Sequence, residues 1–365
     1  MKSQLKYAVV FAGQGAQKPG MGKSLYEASS AAREVFDLAG EDIKYDCFEA
    51  DADRLMQTEV TQPAVYTMDM AAYAALREAL GIGDGGFPEP SAVAGFSLGE
   101  YAAFTAAGAI GSLRSGLELV RKRSLLMKEA GRNPDGLQRG TMAACLGTKD
   151  AALALVEKAR GPDVLEAVNF NSPQQTVIAG DEAAVTRCSE LAGKDKSLGV
   201  RVLPLPVSGA FHSPIMRPAA EGLAKALEGF VFNTPGLAVY LNVTGGTFEE
   251  YEGAGLVTGP DTESGAESGA DTNMSSGSGA DKGADADAKV KAIMVRQIQS
   301  PVQWQRTIEA MAGAGIEAII EAGPGKTLTG LVKKTAPGIL ALHVEDTESL
   351  RETVAGVIEA ASELG

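Results

Sequence analysis

The chain has 365 residues, 45% hydrophobic and 22% charged, a globular balance with length for one large domain or two smaller ones. Its formal charge of −14 argues against a nucleic-acid partner, and no apolar run reaches the roughly 18 residues a membrane span needs, so no membrane association is expected either. The three cysteines, Cys47, Cys145 and Cys188, have no metal-like spacing, predict no metal site, and fit a reducing cytoplasm better than a disulfide framework.

In chain order, Tyr7–Phe11 is an apolar run too short for a signal peptide and reads as a first buried strand, followed by the glycine-rich turn Gly13-Gln14-Gly15. Gln62–Leu80 predicts a helix with Thr61 as cap and Pro63 in its first turn. Ala92–Phe96 predicts a strand, and Leu113–Ala130 a long helix. Residues 141–205 have their own rhythm: strand Thr141–Leu146, helix Lys149–Arg160, strands Val164–Phe170 and Gln175–Ala179, helix Asp181–Ala192, strand Val200–Leu205. That βαββαβ order predicts a ferredoxin-like small domain inserted into a larger α/β-hydrolase-like domain with a parallel sheet. The expected division is 1–137 and 207–365 for the large domain and 138–206 for the small one, with the active site in the cleft between them. Residues 252–288 are built mainly from Gly, Ala, Ser, Thr, Asp and Glu, and their composition predicts a disordered acidic insert. Ile316–Ile320 predicts a further strand of the large domain.

Gly95-Phe96-Ser97-Leu98-Gly99-Glu100-Tyr101 places a serine between two glycines where the predicted strand turns into a small-residue helix. Such a turn projects the hydroxyl away from the backbone, and the glycines remove Cβ atoms that would clash. The Leu98 N–H, at the new helix N-terminus, points toward any anion formed beside Ser97. A serine nucleophile needs a base, and the chain has only two histidines. His343 lies in the apolar run Ile339–Val344 and reads as a core or edge-strand residue. His212 lies in Ser208-Gly209-Ala210-Phe211-His212-Ser213-Pro214, a loop at a domain junction, and is the better candidate. Two glycine-rich motifs are set aside. Lys18 stands where G-x-G-x-x-G needs its third glycine, and Ile320 stands where a phosphate-binding loop ending in Gly325-Lys326-Thr327 needs its first.

Seven separated stretches together resemble the malonyl-CoA:acyl carrier protein transacylases of fatty acid synthesis, and the related acyltransferase domains of polyketide synthases. They are Phe11–Gln17, Thr61–Ala64, Gly95–Tyr101, Val168–Ala179, Leu205–Pro218, Arg296–Trp304 and Glu321–Leu331, in the family's order. The resemblance implies a ping-pong acyl transfer through an acyl-Ser97 ester, with no metal or redox cofactor, and malonyl-CoA and an acyl carrier protein as partners. It implies His212 as the base and the backbone carbonyl of Gln297 as the group that orients it. The backbone N–H groups of Gln14 and Leu98 match the oxyanion hole. Arg123 matches the cation that binds the malonyl carboxylate, with Arg121 as the alternative because the loop Gly111–Ser115 is longer than the usual pattern by one residue. Gln62 matches a residue lining the acyl pocket. Phe211 matches a position where an aromatic ring goes with malonyl and a smaller residue with methylmalonyl. Phe96 departs from the histidine many members carry before the nucleophile.

Three other readings share parts of this evidence: a serine hydrolase or thioesterase, a stand-alone polyketide acyltransferase, and a non-catalytic subunit that binds a carrier protein. Acyl carrier proteins are acidic in this resemblance, so docking to an acidic chain requires a local basic patch, drawn from Lys194, Lys196 and Arg201 or from Lys333 and Lys334.

Overall fold

The computed structural model describes residues 5–207, 209–252 and 279–363. Two sheets organise them. The first is a five-stranded sheet of β1 (Tyr7–Phe11), β2 (Ala92–Gly95), β7 (Ala238–Tyr240), β8 (Ala318–Ala322) and β9 (Leu340–Val344), in the order β7-β2-β1-β8-β9. Every pairing in it is parallel, with Val9 opposite Val93 on one side and Ile320 on the other. β1 is buried along its whole length. Its alternate side chains enter different cores: Tyr7, Val9 and Phe11 pack into the largest apolar cluster, while Ala8 and Val10 join a second one with Trp304 and Ile308. A parallel sheet covered on both faces requires such a continuous apolar strand.

The second sheet contains β3 (Thr141–Leu146), β4 (Leu165–Ser172), β5 (Gln175–Gly180) and β6 (Arg201–Pro204), antiparallel in the order β4-β5-β3-β6. Helices Lys149–Ala159 and Glu182–Lys194 connect its strands and share a core with it, including Ala143, Leu155, Ile178 and Val185. This is the βαββαβ order and strand arrangement expected of a ferredoxin-like unit. Backbone hydrogen bonds tie β4 to the segment just before the helix Trp304–Gly313: Val302 N–H donates to Val168 O at 2.8 Å and Phe170 N–H to Val302 O at 2.9 Å. Among the described residues no helix is long and apolar enough to cross a membrane.

Two expectations change. The first long helix runs from Thr58 to Leu80 with Gln57 as its N-cap, so Pro63 lies inside it and Thr61 is not a cap. The Thr61 hydroxyl instead sits between the carbonyl oxygens of Leu55 and Gln57, shares its one proton between them, and ties the first turn down. The second change concerns the predicted disordered insert. Gly279–Ile298 is a helix, so residues 279–288 belong to it. Ala286 is buried, and Asp287 accepts from Phe232 N–H at 2.9 Å and pairs with Lys291 at 2.7 Å. Alanine is the strongest helix former, and this Ala/Asp/Lys stretch finds a surface to pack on that composition cannot reveal. The rest of the predicted insert, from 253 to 278, lies outside the described residues.

Candidate active site

Ser97 follows the C-terminal end of β2, and Gln14 follows that of β1, the edge where parallel α/β sheets place their ligands. The serine turn is tightly packed. A Cβ on Gly95 would fall inside the backbone of Gly99, and a Cβ on Gly99 would meet the carbonyl oxygens of Phe11 and Ala12, the latter at 2.6 Å. Ser97 has φ 51° and His212 φ 63°, and no other non-glycine residue described has a positive φ. This left-handed backbone is costly for both, and it occurs at the two residues whose side chains meet.

Ser97 Oγ lies 2.7 Å from His212 Nε2. His212 Nδ1 lies 3.0 Å from the carbonyl oxygen of Gln297. A carbonyl only accepts, so Nδ1 carries the proton and the Nε2 lone pair faces the serine hydroxyl. His212 is 4% exposed. Burial and the nearby positive charge of Arg123 lower its pKa to about 4, against the pull of the Gln297 carbonyl, so the imidazole is neutral at physiological pH.

Arg123 comes from the helix Leu113–Ala130, started by Ser112, whose hydroxyl accepts from Ser115 N–H at 3.1 Å. Its guanidinium is buried and stands 5.2 Å from the centre of the Tyr101 ring. Nη1 donates to Gln62 Oε1 at 2.6 Å, and Nη2 donates to Ser97 Oγ at 3.1 Å and to Gln297 Oε1 at 3.2 Å. Arg121 faces outward and pairs with Asp42 at 2.6 Å, so of the two arginines only Arg123 reaches the serine. Gln62 also donates to Gln14 Oε1 at 3.4 Å, linking the arginine to the glycine-rich turn. The backbone N–H groups of Gln14 and Leu98 donate to no acceptor among the described residues. A Cβ on Gly13 would stand 2.5 Å from Phe96 O, so the turn carrying Gln14 lies directly against the serine turn. Phe211 is buried beside His212, and Phe96 packs edge-on against Trp304 at 5.5 Å.

Two residues escaped sequence reasoning. Asn242, just beyond β7, accepts Ser97 N–H on Oδ1 at 2.7 Å and donates through Nδ2 to Gly95 O at 2.6 Å and Glu100 Oε1 at 2.9 Å. Glu100 is 1% exposed although it lies in the first turn of the helix Gly99–Ala106. The only signal for it was a lone carboxylate among small apolar residues. Of Gln297, only the carbonyl was anticipated; its side-chain amide also donates to Ser97 O and to Glu100 Oε2, both at 2.7 Å.

Elsewhere, His343 lies on β9 with its backbone carbonyl bound by Thr353. The helix following Gly323-Pro324-Gly325 has no room for a phosphate at its N-terminus. The buried carboxylate of Glu321 takes the N–H groups of Leu328 at 3.0 Å and Thr329 at 2.7 Å. Lys196, Arg201, Lys333 and Lys334 are exposed, and Lys194 pairs with Glu190 at 3.1 Å.

Comparison with known proteins gives one family. The acyl transferase domain matches residues 8–358. The malonyl CoA-acyl carrier protein transacylase of Haemophilus influenzae is 35% identical over 94% of this chain and 96% of its own. The crystal structure of the malonyl CoA-acyl carrier protein transacylase from Clostridium perfringens superposes with a TM-score of 0.79 at 32% identity, covering 97% of this chain and 98% of that one. A malonyl-transacylase solved in complex with its type II PKS acyl-carrier protein gives a TM-score of 0.77 at 31% identity, over 96% of this chain and 99% of that one.

Proposed function

The chain belongs to the acyl transferase family, among its malonyl CoA-acyl carrier protein transacylases, and on that premise we propose that it moves malonyl from malonyl-CoA to the phosphopantetheine thiol of an acyl carrier protein in fatty acid biosynthesis. The observation that carries this reading is the contact of Ser97 Oγ with both His212 Nε2 and Arg123 Nη2. It joins a nucleophile, a base and a buried cation suited to a carboxylate-bearing acyl group.

In this mechanism His212 Nε2 takes the Ser97 proton as Oγ attacks the thioester carbonyl. The oxyanion is met by the free N–H groups of Gln14 and Leu98. The Gln297 carbonyl holds the imidazolium that forms. As the tetrahedral intermediate collapses, Nε2–H protonates the departing CoA thiolate and leaves malonyl esterified to Ser97. In the second half His212 deprotonates the pantetheine thiol, which attacks the ester, and the proton returns to Ser97 Oγ. Arg123, held by Gln62, binds the malonyl carboxylate, and Phe211 occupies the space an α-methyl would need. A carbonyl partner stabilises imidazolium less than the carboxylate of a Ser-His-Asp hydrolase, which favours transfer to a thiol over attack by water. The exposed lysines and arginine at Lys194, Lys196, Arg201, Lys333 and Lys334 are the proposed docking groups for the acidic carrier protein. The three buried free cysteines support a cytoplasmic location.

Intact mass spectrometry after incubation with malonyl-CoA, followed by peptide mapping, tests the reading. One malonyl adduct on the peptide containing Ser97, absent in Ser97→Ala, is the expected result. An adduct that persists in Ser97→Ala refutes the mechanism.

A further inference from the structure

Glu100 and Asn242 have no part in the mechanism above, yet both are buried beneath the serine turn. A carboxylate in the first turn of a helix ordinarily faces solvent. Glu100 points inward and meets only donors: Asn242 N–H at 2.6 Å and Asn242 Nδ2 at 2.9 Å on Oε1, and Gln297 Nε2 at 2.7 Å on Oε2. Every hydrogen bond it makes is accepted and none is donated, so this geometry fits the ionised carboxylate. Both of its partners continue to the reacting residues. Asn242 grips the serine turn on two sides, at Gly95 O and Ser97 N–H. Gln297 grips Ser97 O with its amide and His212 Nδ1–H with its carbonyl. The donors on each amide go to acceptors and each amide oxygen takes a donor, so neither side chain can be turned over without losing contacts.

We infer that Glu100 and Asn242 are positioning residues of the transfer reaction: the Glu100 carboxylate, through Asn242 and the Gln297 amide, holds the strained Ser97 backbone and the carbonyl that orients His212 as one unit. This rests on the reading of Ser97 and His212 as nucleophile and base. The charged and titratable groups around Glu100 are Arg123 from the helix Leu113–Ala130, Tyr101 on its own helix, and His212 beyond Gln297. Burial pushes the Glu100 pKa up to about 7, opposed by its amide donors and by Arg123. Acidification therefore protonates Glu100 well before His212, whose pKa is about 4, and releases the unit while the base is still neutral.

The test is steady-state malonyl transfer from pH 5 to 9 by the wild type, Glu100→Gln, Asn242→Ala and the double variant, each with its melting temperature. Glu100→Gln is expected to lower kcat about 10- to 100-fold with little change in KM, and to remove the acid limb near neutrality. The double variant is expected to lose no more than the worse single one. A KM that rises in step with the loss, an acid limb that stays in place, or losses that multiply would each overturn the inference. Glu100→Asp covers the case in which the glutamine variant does not fold. It keeps the charge one methylene short, so it should retain the limb at reduced kcat, and an undiminished kcat refutes the assignment. The acylation burst with p-nitrophenyl acetate separates the two levels. A wild type that gives neither burst nor malonyl transfer removes the dyad reading and this inference with it. A wild type that gives both, with variants indistinguishable from it, removes only this inference.

Discussion

Arg123 donates to the hydroxyl oxygen of Ser97 at 3.1 Å, so the cation proposed to bind the acyl carboxylate also touches the proposed nucleophile. Arg123→Ala should therefore do two things at once. It should raise acetyl transfer relative to malonyl, and it should slow both. Loss of a charge-assisted contact predicts a fall in malonyl kcat/KM of about 10- to 100-fold. Arg123→Lys should not restore it, because a single ammonium cannot serve Gln62, Gln297 and Ser97 in one plane. Competition between malonyl-CoA and acetyl-CoA measures the ratio.

Phe211 is 7% exposed and lies directly before His212, the proposed base. Phe211→Ser should raise methylmalonyl transfer relative to malonyl. A pocket that gains or loses a methyl changes preference by about 1–3 kcal/mol, which sets the expected shift at roughly 10- to 100-fold. An unchanged ratio in a mixed-substrate assay would place the methyl-excluding contact elsewhere.

The buried pair His212 and Glu100 makes opposite contributions to stability against pH. The folded pKa of His212 is lowered from 6.5 to about 4, so the unfolded chain binds the extra proton and stability falls as pH drops from 6.5 toward 4. The folded pKa of Glu100 is raised from 4.5 to about 7, so the folded chain holds the extra proton and stability falls as pH rises from 4.5 toward 7. Between 4.5 and 6.5 the two slopes cancel. Glu100→Gln should gain on the wild type by about 3 kcal/mol from pH 4.5 to above 7, and His212→Asn should lose by about the same from pH 4 to 6.5. Urea denaturation across this range reads both.

Asp69 is fully buried against Gly323, where an added Cβ would fall on its Oδ1 and stand 2.9 Å from Ala12 Cβ. Among the described residues neither Asp69 oxygen has a hydrogen-bond partner of good geometry: the Ala12 N–H beside it opposes the rise in pKa but is directed to Ala322 O at 3.4 Å. Burial first, and then the charge of Glu321, raise its pKa well above the usual carboxylate range. The unfolded chain ionises above about 3.8, so this group costs stability increasingly as pH rises from there toward its folded value. Asp69→Asn should raise the melting temperature at pH 8, and the gap should close near pH 4.

Glycines separate by what surrounds them. Gly99→Ala drives a methyl into the backbone carbonyls of Phe11 and Ala12, which cannot rotate away, and should cost about 3 kcal/mol or more along with activity. Gly193→Ala, within the helix Glu182–Lys194, meets nothing within 4 Å and should gain about 0.4–1 kcal/mol. Thermal unfolding of the two variants gives the signs.

The serine turn was legible because its information is local: two glycines, a strand before and a helix after. His212 was legible because only one other histidine competed with it. The resemblance favours Arg123 and leaves Arg121 as the alternative, and the fold makes the physical distinction by burying one and pairing the other with Asp42. Asn242 and the Gln297 amide were not legible. They reach Ser97 across separations of 145 and 200 residues, and an asparagine after a short strand looks like any turn residue until its partners are known. Proline favours first turns, so the sequence points to a helix starting at Gln62, whereas the Thr61 hydroxyl, bound to carbonyls before it, lets the chain begin coiling at Thr58.

The backbone bridge from Val302 to β4 stands five residues after Gln297. The segment whose carbonyl meets His212 Nδ1 is thereby stitched to the edge of the small sheet. Any displacement of β4 must therefore break those two backbone hydrogen bonds or carry the Val302 segment, and with it the chain that follows Gln297, along.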